Sequence, residues 1–177
     1  MLKTILIVLV VLIALVLIYA ATRPDNFRVE RSVVVAAPAE KIFPLIDTLQ
    51  NWRAWSPYER KDPAMQRTYA GPASGIGAAY AWKGNKEVGE GRMEIVESTS
   101  PSNVRFKLDF AVPFEAHNQA VFSLEPVSGG TRVGWSMTGA SPFMFKLMGL
   151  FMNMDAMIGR DFETGLATLK AQAEKGD

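Results

Sequence analysis

The chain has 177 residues, 49% of them apolar, with a formal charge of +1 and no cysteine. That length suits one domain with a substantial core. The missing cysteines exclude disulfides and thiolate metal sites, and a single histidine excludes an ordinary His-ligated one. No cofactor motif is present, and the near-neutral charge argues against a nucleic-acid partner.

The N-terminus carries the strongest local signal. Ile5 to Ala21 is seventeen residues without a charge, behind Met-Leu-Lys. At about 1.5 Å per residue such a helix approaches the ~30 Å hydrocarbon core of a bilayer. A cleavable signal peptide would have a shorter apolar run and a better small-residue site than Ile18-Tyr19-Ala20-Ala21. The expected organisation is therefore a single-pass anchor, residues 1–23, and a folded domain, residues 24–177. Lys3 favours an inside N-terminus with the domain outside a bacterial inner membrane, whereas Arg23, Arg28 and Arg31 pull the other way. Without Lys3 and Arg23 the remainder has 17 basic and 18 acidic residues.

Phe27 to Val35 is β-branched and reads as a strand. Ala37-Pro38 opens a short helix to about Leu49, limited by Pro44. Trp52-Arg-Ala-Trp55-Ser-Pro57 adds a second helical turn, and residues 56–66 read as a loop. From Gln66 the period becomes two. Tyr80 and Trp82 alternate with small residues, and Gly84-Asn85 fits a two-residue hairpin turn. Met93 and Ile95 then oppose Glu90, Arg92 and Glu94. Val104, Phe106, Leu108, Phe110, Val112 and Phe114 form one face of the clearest strand. Ala120, Phe122 and Leu124 continue the inward face, Ser128-Gly129-Gly130 turns the chain, and Val133, Trp135 and Met137 complete it. Strands joined by short turns make an antiparallel meander of α+β class.

Ser141 to about Ala173 reads as one long helix, with Ser141 as N-cap and Pro142 at the first helical position. Leu147, Leu150, Met154, Ile158, Phe162, Leu166 and Leu169 share a stripe. Five of the nine methionines fall between Met144 and Met157, leaving that half apolar nearly all round. It therefore needs cover from a core or a cavity.

Several segments in this order resemble the START-like (SRPBCC, birch-pollen-allergen-like) superfamily. They are Ala36-Ala37-Pro38-Ala39-Glu40-Lys41-Ile42-Phe43, Trp52-Arg-Ala-Trp55-Ser56-Pro57, Gly129-Gly130-Thr131-Arg132-Val133 and Asp161-Phe162-Glu163-x-Gly165-Leu166-x-x-Leu169-Lys170. Within it the chain is most similar to the bacterial polyketide cyclase/dehydrase and lipid transport group, over about residues 27–173. The resemblance implies a helix-grip fold, a curved antiparallel sheet of six to seven strands around a long C-terminal helix. Function does not follow from such a fold alone.

Catalytic constellations are not visible. His117 is the one candidate acid–base group by residue type, and its odd parity puts it on the outer face. Gly71-Pro-Ala-Ser-Gly75-Ile-Gly77 lacks the helix that phosphate cradling needs. The aromatic and methionine set is more informative: Trp55, Tyr80, Trp82, Phe110, Phe114, Trp135, Met137, Met148 and Met152. These residues fill cores well, and they also line apolar ligand cavities, with Met adaptable. The expected function is a membrane-tethered module binding a lipid-like or other apolar small molecule. Alternatives are a protein-interaction or membrane-stress module with a filled core, and a cyclase or dehydratase acting on a polyketide-like substrate. Lys146 and Asp155 would make a second span through residues 143–159 costly.

Overall fold

The computed structural model describes residues 1–175. A helix α1 (Leu2–Ala21) is followed by β1 (Asn26–Val35), α2 (Ala39–Asp47), a 3₁₀ turn (Leu49–Ala54) and α3 (Pro57–Lys61). Then come β2 (Gln66–Ala70), β3 (Ala79–Lys83), β4 (Glu90–Thr99), β5 (Asn103–Val112), β6 (Ala116–Val127) and β7 (Gly130–Ala140). The chain ends in α4 (Phe143–Met148) and α5 (Met154–Ala173).

The seven strands form one antiparallel sheet in the order β1-β7-β6-β5-β4-β3-β2. Strands β2 to β7 are a meander, and β1 closes the far edge by pairing with β7, Val33 opposite Val133. The close approach of β1 to the β6–β7 turn requires glycine at 130. Its φ is +147°, and a Cβ there would lie 2.0 Å from the Val35 carbonyl oxygen. The neighbouring Thr131 hydroxyl donates to the Ala37 carbonyl at 2.8 Å.

Helix α5 lies across the inner face of the sheet, and the alternation in the strands supplies what it covers. Phe162, Leu166 and Leu169 are buried against Trp135, Phe122, Phe106 and Val133. Phe162 stacks on Trp135 with ring centroids 4.0 Å apart. Polar ties fix both ends of α5 to β1. Arg31 bridges Asp155 and Glu163 at 2.9 and 2.7 Å, and the Glu174 carboxylate accepts the Ala36 amide at 2.6 Å.

Three expectations are corrected. The loop at 56–66 contains α3, because Pro57 at the first helical position, Glu59 in the first turn and Arg60 and Lys61 in the last all favour a short helix. The β3–β4 connection is residues 84–89 rather than a two-residue turn. There the Asn85 side chain accepts the amides of Glu87 and Val88, at 2.8 and 3.3 Å, and organises a wider loop. The continuous helix from Ser141 is broken at residues 149–153. Gly149 closes α4, and Asn153 caps α5 by accepting the Ala156 amide at 2.9 Å. Ser141 is not a cap; its amide donates to the Asp25 carbonyl at 2.7 Å.

That break changes what the methionine-rich half does. Phe143, Met144, Phe151, Met152 and Met157 are exposed. Helix α4 packs beside the C-terminal end of α1, where Ala20 is fully buried. Lys146 of α4 holds Asp25 at 2.5 Å, fixing the link between α1 and β1 to the same corner.

Candidate ligand cavity

Between the inner sheet face, α4 and the first half of α5 lies a cavity of about 1170 Å³. Its volume lies somewhat above the roughly 300–1,000 Å³ usual for small-molecule sites. Its deep wall is the aromatic core, Trp52, Phe106, Trp135 and Phe162, and its rim is Phe114, Phe145, Phe151 and Met152. A smaller groove of about 460 Å³ lies at the other end of the sheet, against Pro38, Pro101 and Pro126.

The strands position most of the residues read from the sequence. Tyr80 opposes Met93, and Trp82 opposes Gly91, on the inner face of β3 and β4. Gly91 is needed there, since a Cβ would lie 2.5 Å from the Trp82 ring. Trp82 anchors its indole N–H on the Val88 carbonyl at 3.0 Å and meets Phe110 edge-on at 5.6 Å. Tyr80, Trp82, Phe110, Phe114, Trp135, Met137, Met148 and Met152 all border the cavity. Phe114 does so past the end of β5, 54% exposed and edge-on to Phe145 at 5.8 Å.

Trp55 is the exception. It is 1% exposed behind the cavity wall, packed on Trp52 at 4.7 Å and Trp135 at 5.7 Å. Its indole N–H donates to the Leu45 carbonyl at 2.7 Å. Trp52, three residues earlier on the 3₁₀ turn, takes the lining position. A 3₁₀ turn has no strand-like parity, so the sequence does not separate the two.

His117 projects on the outer face, 67% exposed, with Nδ1 2.7 Å from the Asp109 carboxylate. That hydrogen bond raises its pKa above the ordinary 6.5. For Asp109, burial acts upward, but hydrogen bonds from His117 and Lys107 outweigh it and leave the pKa lowered. Glu90, Arg92 and Glu94 likewise sit in surface ion pairs, Lys83–Glu90 at 2.8 Å and Arg92–Glu94 at 2.6 Å.

Of the titratable groups that border the cavity, Glu59 and Asp161 are paired within the protein, while Arg23, Glu87, Glu115 and the edge of His117 lie exposed at its mouth. Glu59 is 8% exposed. One of its oxygens takes Arg67 at 2.8 and 2.5 Å, and the other accepts the Tyr80 hydroxyl at 2.9 Å. Burial first, then the Glu59 charge, pushes the Tyr80 phenol far above its ordinary range. Asp161 pairs with Lys61 at 2.6 Å. Two uncharged polar side chains, Asn118 and Ser56, also line the cavity. Asn118 shares the parity of Ala120 and Phe122, a signal that alone places it inward, and it is 8% exposed. Ser56 precedes α3 and is 3% exposed. No group of His, Cys, Asp and Glu among the described residues is arranged to hold a metal.

The family model for polyketide cyclase/dehydrase and lipid transport matches residues 26–174. The chain belongs to this family. It is the family indicated by the START-like resemblance, and the match covers the whole sheet and α5 but not α1. No curated protein matches the chain.

Solved structures agree on the fold of this family member. Protein CV1439 from Chromobacterium violaceum has a TM-score of 0.60 at 14% identity, covering 87% of this chain and 100% of that one. Ara h 8.0201 has a TM-score of 0.58 at 12% identity, covering 84% of this chain and 97% of that one. The di-domain ARO/CYC StfQ from the steffimycin biosynthetic pathway has a TM-score of 0.63 at 12% identity, covering 84% of this chain and 51% of that one. At such identities the likeness is one of fold. Helix α1, at 20 residues, has the length and composition of a membrane anchor or a signal sequence.

Proposed function

We propose that the chain is a membrane-tethered binding module that holds a lipid-like or other apolar small molecule in the cavity between sheet and helix. The observation that carries this reading is the placement of the cavity. About 1170 Å³ of mainly apolar space opens through a rim of exposed Phe151 and Met152, on the corner where α4 meets α1. With α1 in a bilayer, Phe143, Met144, Phe151 and Met152 lie where an apolar edge can enter the interface, and a ligand can pass from lipid to cavity without crossing water. Tyr80, Trp82, Phe110, Trp135, Met137 and Met148 are then the wall against which the ligand packs. The pairing of Glu59, Tyr80 and Asp161 with protein partners favours holding over turnover. The domain sits on the opposite side of the membrane from Met1 and Lys3, outside the cytoplasm if Lys3 stays in.

The test is to extract the full-length protein from membranes in mild detergent and examine it by native mass spectrometry. A co-purified apolar molecule is expected in the wild type and lost in Ala116→Trp, which fills the cavity opposite Phe110. A wild-type protein that carries nothing, and takes up nothing from a lipid panel, overturns the reading.

A further inference from the structure

The cavity wall contains two hydrogen-bonding side chains that the protein itself leaves unused. Asn118 projects inward from β6 and is 8% exposed, and Ser56 is 3% exposed. Both border the cavity. Neither side chain has a hydrogen-bond partner among the described residues, and Ser56 does not cap α3. Among the described residues the fully enclosed side-chain polar atoms without a partner are the Tyr69 hydroxyl and Arg105 Nε, so the polar atoms of Asn118 and Ser56 open onto the cavity, where a ligand can reach them. The sheet also makes room for one of them. Gly139 faces Asn118 across the β6–β7 ladder, and a Cβ at 139 would lie 1.9 Å from the Asn118 Oδ1. The carboxamide thus occupies space that any other residue at 139 would take.

The two groups mark different depths. Pro57, next to Ser56, and Trp135 both lie within 3 Å of where a Gly165 Cβ would be, so Ser56 belongs to the deep aromatic level. Asn118 is four residues along β6 from Phe122, which pairs with Trp135, so it lies roughly 13 Å nearer the rim. The interior charges between these levels are already matched, Glu59 by Arg67 and Asp161 by Lys61.

We infer that the ligand is an uncharged, mainly apolar molecule bearing hydroxyl or carbonyl oxygen, hydrogen-bonded within the cavity by the Asn118 carboxamide and the Ser56 hydroxyl. This rests on the binding reading above and adds the chemistry that reading lacks. A plain hydrocarbon leaves both groups unpaired, and a carboxylate at the depth of Asn118 and Ser56 finds no unpaired cation among the described residues, Arg23 being exposed at the cavity mouth. Sites built to bond a polar group reject analogues without it far more strongly than apolar walls distinguish shapes.

The experiment offers the full-length protein in detergent an equimolar mixture of tridecane-2,12-dione, whose two carbonyls lie about as far apart as the two levels, and tridecane, and counts each bound species by native mass spectrometry. Micelle partitioning is common to all variants, so the ketone-to-hydrocarbon ratio is compared between them. Asn118→Leu should lower that ratio on the order of tenfold, as expected for one lost hydrogen bond. Ser56→Ala, a minimal change, and Gly139→Ala, which must turn the carboxamide, should each lower it as well. A ratio unchanged in all three variants overturns the inference while leaving the cavity reading intact. Binding of neither probe overturns both.

Discussion

At the scale of single residues, parity decides which polar groups face inward, and the consequences can be measured. His117 is held by Asp109 on the outer face, so its pKa lies above 6.5. The stability contributed by this pair is fully present below pH 6.5 and is lost as pH rises through the folded value. A histidine NMR titration should therefore show a midpoint above 6.5 that returns toward it in Asp109→Asn. Glu59 is a different case, because it is buried with Arg67, whose side chain is 14% exposed. Glu59→Ala strands a guanidinium and the Tyr80 hydroxyl, and should cost about 3–5 kcal/mol in denaturant unfolding. Tyr80→Phe removes one neutral partner and should cost about 1–2 kcal/mol.

At the scale of elements, α5 is the part most legible from sequence, and α4 the least. The Phe162–Leu166–Leu169 stripe identifies the buried face because packing and period agree. Residues 141–153 follow the same period, yet Gly149 and Asn153 end one helix and begin another, and a two-residue signal outweighs a thirty-residue pattern. Strand faces are legible in the inward positions of Tyr80, Trp82 and Met137, but not at Val112, which alternation puts on the inward face and which is 45% exposed beyond the irregularity where Glu90 and Gly91 pair with Val112 and Phe110. Trp55 and Trp52 are not separable, since a 3₁₀ turn carries no alternation. Gly165 tests the packing of α5 directly. An alanine there gains up to about 1 kcal/mol of helix propensity, but its Cβ meets Trp135 at 2.8 Å and Pro57 at 2.9 Å. Neither ring can swing away, so Gly165→Ala should destabilise by about 1–3 kcal/mol despite the propensity gain. The ends of α5 should fail first in acid. The Arg31 hydrogen bond lowers the Asp155 pKa from 3.8, and the Ala36 amide lowers that of Glu174 from 4.5. Their contribution is present above those ordinary values and disappears as pH falls through the lowered ones. Hydrogen exchange should show α5 loosening from β1 below about pH 4, less steeply in Asp155→Asn with Glu174→Gln.

At the scale of the whole molecule, the antiparallel meander and the gripping helix are legible because most strands alternate between a covered and an open face. The cavity was legible only as a choice between filled and open, because the same aromatics serve both. Its location at α1 was not legible at all, since it depends on where the broken helix turns. If that corner meets the bilayer, Phe151→Trp in the full chain should give an emission quenched by brominated acyl chains in vesicles. Lack of quenching would place the rim in water.

Four residues, 22–25, separate α1 from β1, a length that reaches at most about 14 Å. Asp25, the last of them, is clasped by Lys146 and by the Ser141 amide. With α1 embedded, such a leash keeps the cavity facing its own bilayer and forbids travel to a second one. On the proposed reading, a ligand held here would stay at the surface it came from, and the molecule would work as a fixed berth rather than a shuttle.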